Sequence, residues 1–251
     1  VLLCLVILGG LDRINQNRQA TQTAEAAVIL EPTPNPTLIP TRTPEPPAER
    51  DPAAPLTTDG LPPEAQKTLE LALEQWKNGQ TADAQSTVIQ AIKLLEDNPA
   101  YTTAAINRCA QQGAWAPAAM IGGDYYRRHP NEFTPQQLLR LHEALYRAAG
   151  DGSAHQFFQD FAENPVFQVA KLRNDLYFGE GAEAMEAGLE QILSQPLTLR
   201  RFPEARLLEV ELFLMIGDQA RAREAHAKIL NDRSLPEWVL VMANELEAKL
   251  K

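Results

Sequence analysis

The spacing of apolar residues from Pro63 onward predicts an all-α domain. Apolar positions recur at intervals of three and four residues, in segments separated by short breaks, and no segment shows the alternation typical of a strand. Thr134 before Pro135 has the chemistry of a helix start, because proline suits the first helical turn. Eleven helices are predicted, over residues 63–77, 81–96, 100–112, 115–128, 135–149, 153–162, 166–177, 182–194, 203–216, 219–231 and 237–250.

The breaks between these helices repeat at a regular interval. Glycines separate paired helices, with spacings of 34, 37, 29 and 38 residues, and each pair is followed by a proline. A period of about 34 residues is the signature of a helix–turn–helix repeat. The break glycines are Gly79, Gly113, Gly150, Gly179 and Gly217. The residues five positions later are Ala84, Ala118, His155, Ala184 and Ala222. Glycine ends the first helix in a conformation costly for other residues, and alanine lets the second helix pack closely against it.

The best-formed unit is LELALEQWKNGQTADAQSTVIQAIKLLEDNP, and it resembles a tetratricopeptide repeat. Leu71-Ala72 stand where that family has a Leu-Gly pair, and Ala84, Val88 and Ala91 occupy its small–bulky–small positions. The unit around Gly217 is also similar, whereas the middle units depart from the pattern. The resemblance implies a right-handed α-solenoid of about five helix–turn–helix repeats, with residues 237–250 as a C-terminal capping helix.

The resemblance also implies a concave groove, lined by the first helix of each pair, that binds peptides or proteins. Residues ten, six and three positions before each break glycine would face this groove. Among them, Asn107, Arg140, Arg147 and Arg173 are the candidate binding residues. Arginine forks suit carboxylates, so the expected partner carries an acidic segment or a chain terminus. The alternative is that these arginines pair with neighbouring glutamates or are simply solvated.

The N-terminal quarter of the chain has a different composition. Residues 1–11 are apolar and would extend about 17 Å as a helix, against roughly 30 Å of membrane hydrocarbon. They are predicted to be a membrane anchor or a signal segment. Residues 12–30 form a polar juxtamembrane segment. Residues 31–62 form a Pro/Thr-rich linker, predicted to be disordered because proline-rich polar sequence buries too little apolar surface.

The net charge and the candidate chemical motifs limit the classes of function that the sequence allows. The net charge of −10 argues against nucleic-acid binding, which requires a basic surface. Cys4 and Cys109 form neither a metal nor a disulfide framework. The sequence His142–Tyr146 begins like a zinc-protease helix but has tyrosine in place of the second histidine. The glycine-rich string from Gly179 to Ala184 follows a helical pattern, whereas a dinucleotide site requires a preceding strand. Ser153 lacks a base, so no catalytic, cofactor or metal site is predicted.

These observations favour a membrane-tethered, extracytoplasmic scaffold or adaptor of the cell envelope that is not an enzyme. Residues 63–251 would form its helical repeat domain. Two alternatives remain open. One is an α-helical domain acting on cell-wall glycan, where two separated carboxylates do the acid–base work. The other is the ligand-sensing ectodomain of a larger membrane protein.

We expect the fragment 61–251 to be soluble and highly helical without residues 1–60, because the proline-rich stretch shares no periodicity with the repeats. Circular dichroism and thermal melts of the full and truncated chains measure this. A large loss of stability on truncation would mean that the N-terminal segments pack on the helical domain, and the tether hypothesis would fail.

Overall fold

The computed structural model describes residues 60–160, 165–179, 182–194 and 202–250. These residues form eleven α-helices and no strand, which confirms the all-α prediction for this part of the chain. The helices are α1 (Pro63–Lys77), α2 (Thr81–Leu94), α3 (Pro99–Gln111), α4 (Trp115–Arg128), α5 (Pro135–Ala148), α6 (His155–Asp160), α7 (Gln168–Phe178), α8 (Ala182–Ser194), α9 (Ala205–Met215), α10 (Gln219–Asn231) and α11 (Glu237–Glu247). The predicted anchor, juxtamembrane segment and nearly all of the predicted linker lie outside the described residues.

The helix boundaries follow the apolar periodicity closely. Four of the predicted helices, including 63–77 and 115–128, have the predicted bounds. The predicted sixth helix begins later than expected, because Gly152–Ala154 form a 3-10 turn and the α-helix starts at His155. The predicted helix 237–250 also changes character, because Ala248–Leu250 form a 3-10 turn after α11.

Thr134 starts α5 as predicted. Its hydroxyl accepts a hydrogen bond from the backbone N–H of Gln137, and the Gln137 side chain accepts one from the backbone N–H of Thr134. Pro135 occupies the first helical turn, where its missing N–H has no partner to lose. This capping box fixes the start of the helix that carries Arg140, Glu143 and Arg147, together with His142 and Tyr146.

The break glycines fall into two classes. Gly79, Gly113 and Gly217 adopt left-handed φ values of +75°, +69° and +78°, as the repeat predicts. Gly150 and Gly179 do not adopt this conformation, so the prediction is wrong at these two positions. At Gly150 the constraint is space, because an added Cβ would lie 2.8 Å from Nη1 of Arg173. At Gly179 the added Cβ would lie 2.9 Å from the carbonyl oxygen of Asp175.

The alanines that follow the left-handed glycines lie in the tightest part of the packing. Ala84, Ala118 and Ala222 are completely buried. In the third repeat, which departs from the pattern, His155 stands in place of this alanine. It is half-buried and contacts Asn174 and the ring of Phe178. The histidine at this alanine position is therefore the first residue of α6, directly after the 3-10 turn.

The core consists of three apolar clusters that follow one another along the chain. The first is built mainly from α1 to α4, the second from α4 to α7, and the third mainly from α7 to α11. Trp76 and Trp115 pack against both of the first two clusters, and Tyr146 of α5 joins the third. Cys109 is fully buried in the first cluster, and burial raises the pKa of its thiol to about 12.

Side-chain bonds connect the first helices of successive pairs at repeat-like intervals. Arg108 of α3 pairs with Glu70 of α1 at 3.3 Å, over a separation of 38 residues. Gln137 of α5 donates to Thr103 of α3 at 2.6 Å, over 34 residues. Arg173 of α7 pairs with Glu211 of α9, again over 38 residues. The helices therefore pack in a repeat-like manner.

Replacing Ala84 or Ala118 by leucine should lower the free energy of unfolding by about 1–3 kcal/mol, because the larger side chain overpacks a closed helix–helix contact. Chemical denaturation of the two single variants measures this. Ala82→Leu is the matched control, since Ala82 is exposed on the same helix as Ala84. Unchanged midpoints for both core variants would show that the repeat phase is wrong.

Candidate functional site

The four predicted groove residues do not share one accessible surface. Arg140 and Arg147 are half-buried on α5, whereas Asn107 of α3 and Arg173 of α7 are buried. Of the fifteen positions ten, six and three residues before the break glycines, nine are buried. The first helices thus turn most of the predicted groove positions towards neighbouring helices. The partly exposed positions are Trp76, Thr103, Ala110, Arg140, Arg147 and Leu214.

Two of these positions form a compact charged site on α5. Arg140 and Arg147 both pair with Glu143, which lies between them in the helix sequence. Nε of Arg147 donates to Oε1 of Glu143 at 3.2 Å, and Nη1 of Arg140 donates to Oε2. The carboxylate of Glu143 is buried, and both of its oxygens are used. Two cations therefore share one anion, which leaves one formal positive charge in a protein of net charge −10.

Trp115 supports this site from the neighbouring helix pair. The guanidinium of Arg147 lies 4.8 Å from the ring centroid of Trp115, within the distance of a cation–π contact. Among the described residues, Nη1 and Nη2 of Arg147 have no hydrogen-bond partner. The stacking fixes the plane of the guanidinium while leaving these donors available. We refer to Arg140, Glu143, Arg147 and Trp115 as the α5 arginine strip.

Arg173 has a different environment. Its Nε and Nη2 donate to the two carboxylate oxygens of Glu211 at 2.7 and 2.9 Å, and its Nη1 donates to the Tyr146 carbonyl oxygen at 2.6 Å. The hydroxyl of Tyr146 also donates to Glu211, at 3.1 Å. The alternative interpretation, pairing with a glutamate, thus describes Arg173, and it also describes Arg140 and Arg147, which both pair with Glu143. All three guanidinium nitrogens already have protein acceptors.

Electrostatics keep this buried cluster charged. Burial lowers the pKa of Arg173, but the adjacent Glu211 carboxylate more than offsets this effect, and the pKa is raised above its usual value. Burial raises the pKa of Tyr146 well above its usual value, and the negative charge of Glu211 raises it further. Tyr146 therefore stays a neutral donor and Arg173 a cation across the physiological range.

A second polar contact also connects α5 to the start of α9. Nδ1 of His142 lies 2.7 Å from Oε1 of Glu204, and both side chains are almost completely buried. The ring of Phe202 packs edge-on against His142. Two buried polar atoms, Oε2 of Glu204 and Nε1 of Trp238, have no hydrogen-bond partner among the residues that the structure describes.

Sequence reasoning did not identify these buried partners, although a signal was present. His142 and Tyr146 are four residues apart and thus lie on one face of α5. Glu204 and Glu211 are seven residues apart, which is two helical turns. Each helix thus carries two polar groups on one face, and the structure brings these two faces together.

The other candidate chemistry finds no counterpart in the described part of the chain. The described residues contain no group of three or more histidine, cysteine or acidic side chains that could hold a metal ion. Gly179 ends α7, so a helix precedes the glycine-rich string. Within the ranges that the structure describes, no helix is long and apolar enough to cross a membrane.

Comparison with protein-family models, with curated proteins and with solved structures finds no match to this chain. The resemblance to tetratricopeptide repeats therefore stays a prediction from the sequence.

Removing one partner of the Arg173–Glu211 pair should cost about 3–5 kcal/mol of stability, because the other charge stays buried without its counterion. We expect this loss for Arg173→Met and for Glu211→Leu in chemical denaturation. The double variant should lose less than the sum of the two single losses, since it leaves no unpaired charge.

The pair between Arg108 and Glu70 is the matched control, since both side chains are partly exposed. Glu70→Ala should move the unfolding midpoint little, because exposed ion pairs contribute little to stability. Additive losses in the Arg173 and Glu211 variants would contradict the assignment of a coupled buried pair.

Proposed function

We propose that this chain is a protein-interaction module built as a right-handed, tetratricopeptide-like α-solenoid of about five helix–turn–helix repeats, with α11 as the cap. The side-chain bonds that join successive first helices over 34 and 38 residues support this proposal. The left-handed break glycines and the buried alanines that follow them support it as well. A solenoid presents an extended surface formed by many helices, which suits the binding of peptides or proteins.

The α5 arginine strip is the site proposed to bind the partner. The observation that carries this proposal is the sharing of one buried carboxylate, Glu143, by two half-buried arginines. The uncompensated positive charge favours an anion, and the planar fork of Arg147 suits a carboxylate. The expected partner is therefore a protein or peptide with an acidic segment or a free chain terminus.

This site is narrower than the groove expected from the sequence. Arg173 makes three bonds to protein acceptors, and Asn107 is buried. We therefore assign Arg173 a structural role in holding the helices together. Of the three arginines predicted to line the groove, Arg140 and Arg147 remain partly accessible.

The cellular location is proposed from the N-terminal sequence alone. The apolar residues 1–11 would attach the chain to a membrane, and residues 31–62 would act as a spacer reaching on the order of 100 Å when extended. The module would then stand off the membrane on its extracytoplasmic side and hold a partner there.

The test measures binding of a peptide array to the full-length chain. The array presents acidic and neutral hexapeptides, each with a free and with an amidated C-terminus. We expect selective binding of acidic or free-carboxylate peptides. Arg140→Gln with Arg147→Gln should weaken it at least tenfold, because each charge-assisted hydrogen bond contributes about 1.5–3 kcal/mol. The salt dependence of binding should fall as well.

Two controls separate the site from general charge effects. Arg147→Lys keeps the charge but loses the fork, so it should bind more weakly than the wild type. Arg127→Gln removes an exposed positive charge elsewhere and should bind as the wild type does. Binding that survives the double change would place the partner on another surface.

A further inference from the structure

Four large apolar side chains are exposed at the C-terminal ends of α7 and α9. Tyr177 and Phe178 end α7 with exposed fractions of 38% and 44%, and Met215 and Ile216 follow at the end of α9 with 52% and 37%. We call this set the turn-end patch, because Gly179 and Gly217 come directly after it. None of these residues belongs to the α5 arginine strip.

The ion pair between Arg173 and Glu211 brings the two halves of the turn-end patch together. Tyr177 and Met215 each follow a member of this pair by four residues, so they lie on the same helix faces as the pair. The side chain of Tyr177 also lies close to Glu211 of α9, since burial and then the charge of this carboxylate raise the pKa of the Tyr177 hydroxyl. The guanidinium of Arg173 also lies 5.2 Å from the ring centroid of Tyr177. The two ends therefore stand side by side.

On one side, Phe178 of the turn-end patch contacts the start of α6 and the turn before it. The ring of Phe178 packs edge-on against His155, with a centroid distance of 5.9 Å. A Cβ at Gly152 would lie 3.5 Å from the Phe178 ring. Phe178 is thus held in place on one side while its other side stays open. A fixed aromatic side chain loses little conformational entropy when it binds a partner.

The equivalent positions in the other repeats differ. The two residues before the break glycine are Lys77-Asn78 in the first repeat and Gln111-Gln112 in the second. In the third repeat they are Ala148-Ala149, which are buried. Exposed large apolar residues at this end are therefore a property of the fourth and fifth repeats. Solubility alone would favour the polar residues that the first two repeats have.

The size of the patch indicates what it binds. Four side chains of about 200 Å² each, exposed to these fractions, present roughly 350 Å² of apolar surface. Patches of this size on a monomer are often functional. A stable dimer needs about 800 Å² from each partner, which is twice this area. The patch is thus too small to hold a second copy of the chain and large enough for two or three anchor side chains.

We propose that the turn-end patch docks a short segment of a protein partner through two or more aromatic or large aliphatic side chains. Neighbouring helices lie about 8–10 Å apart, so the two helix ends leave a furrow that an anchor side chain can enter. Met215 is the most exposed of the four residues, and its flexible thioether can adapt to anchors of different shape. This docking is independent of the carboxylate recognition proposed for α5.

The test uses a phage-displayed library of random dodecapeptides, selected on the immobilised full-length chain. Selected peptides should share two or more aromatic or large aliphatic residues. Phe178→Ser with Met215→Ser should weaken their binding at least tenfold in fluorescence anisotropy. The matched control, Leu71→Ser with Leu230→Ser, removes two side chains of similar exposure elsewhere and should leave the affinity unchanged.

Three further measurements keep the outcomes distinct. Thermal melts should show that both double variants fold as the wild type does, and Met215→Lys provides a second patch variant if Phe178→Ser unfolds the protein. Arg140→Gln with Arg147→Gln should leave binding of these peptides intact, which separates this proposal from the site on α5.

Selection of peptides without apolar pairs, or equal binding to both double variants, would overturn it. So would a wild-type dimer in sedimentation analysis that the patch variant lacks, because the patch would then belong to a second copy.

Discussion

The buried pair between Arg173 and Glu211 is the interaction on which the C-terminal half of the structure depends. It joins α7 to α9 through two parallel hydrogen bonds, and Arg173 also reaches the carbonyl oxygen of Tyr146 on α5. Removing two charges from water is costly, so the pair is stable only because both carboxylate oxygens and all three guanidinium nitrogens have hydrogen-bond partners. Three first helices are thereby held to one another by a single cation.

This constraint accounts for the irregular middle repeats. Arg173 lies so close to Gly150 that any side chain there would collide with the guanidinium. Gly150 is therefore required for space, whereas Gly79, Gly113 and Gly217 are required for their left-handed backbone. A sequence pattern shows the glycine in both cases and cannot distinguish the two reasons, because the lack of space at Gly150 depends on Arg173, 23 positions away in the chain.

Features that depend on neighbouring residues in the chain can be predicted from the sequence, whereas features that depend on distant residues cannot. Helix bounds depend on local periodicity and capping, and residues such as Thr134 and Pro135 are enough to place them. The roles of the arginines depend on their partners. Glu143 stands three residues after Arg140 and four before Arg147, so that pairing was readable from helical spacing. Arg173 has no acidic residue three or four positions away, and its partner comes from the next first helix. An arginine at a core-facing position without a local carboxylate therefore indicates a partner in a neighbouring repeat.

The buried pair also relates the two proposed binding surfaces. Arg140, Glu143 and Arg147 of the α5 arginine strip lie on the same helix as Tyr146. Tyr146 contacts Arg173 through its carbonyl oxygen and its ring, which lies 4.5 Å from the guanidinium. On its other side, Arg173 contacts Tyr177 of the turn-end patch. Because all three guanidinium nitrogens of Arg173 have acceptors and the side chains of Arg173, Glu211 and Tyr146 are buried, α5, α7 and α9 have little freedom to shift against one another. A partner that presents a carboxylate to α5 and apolar anchors to the turn-end patch would meet both surfaces in a fixed arrangement, so its ordering cost on binding would be small.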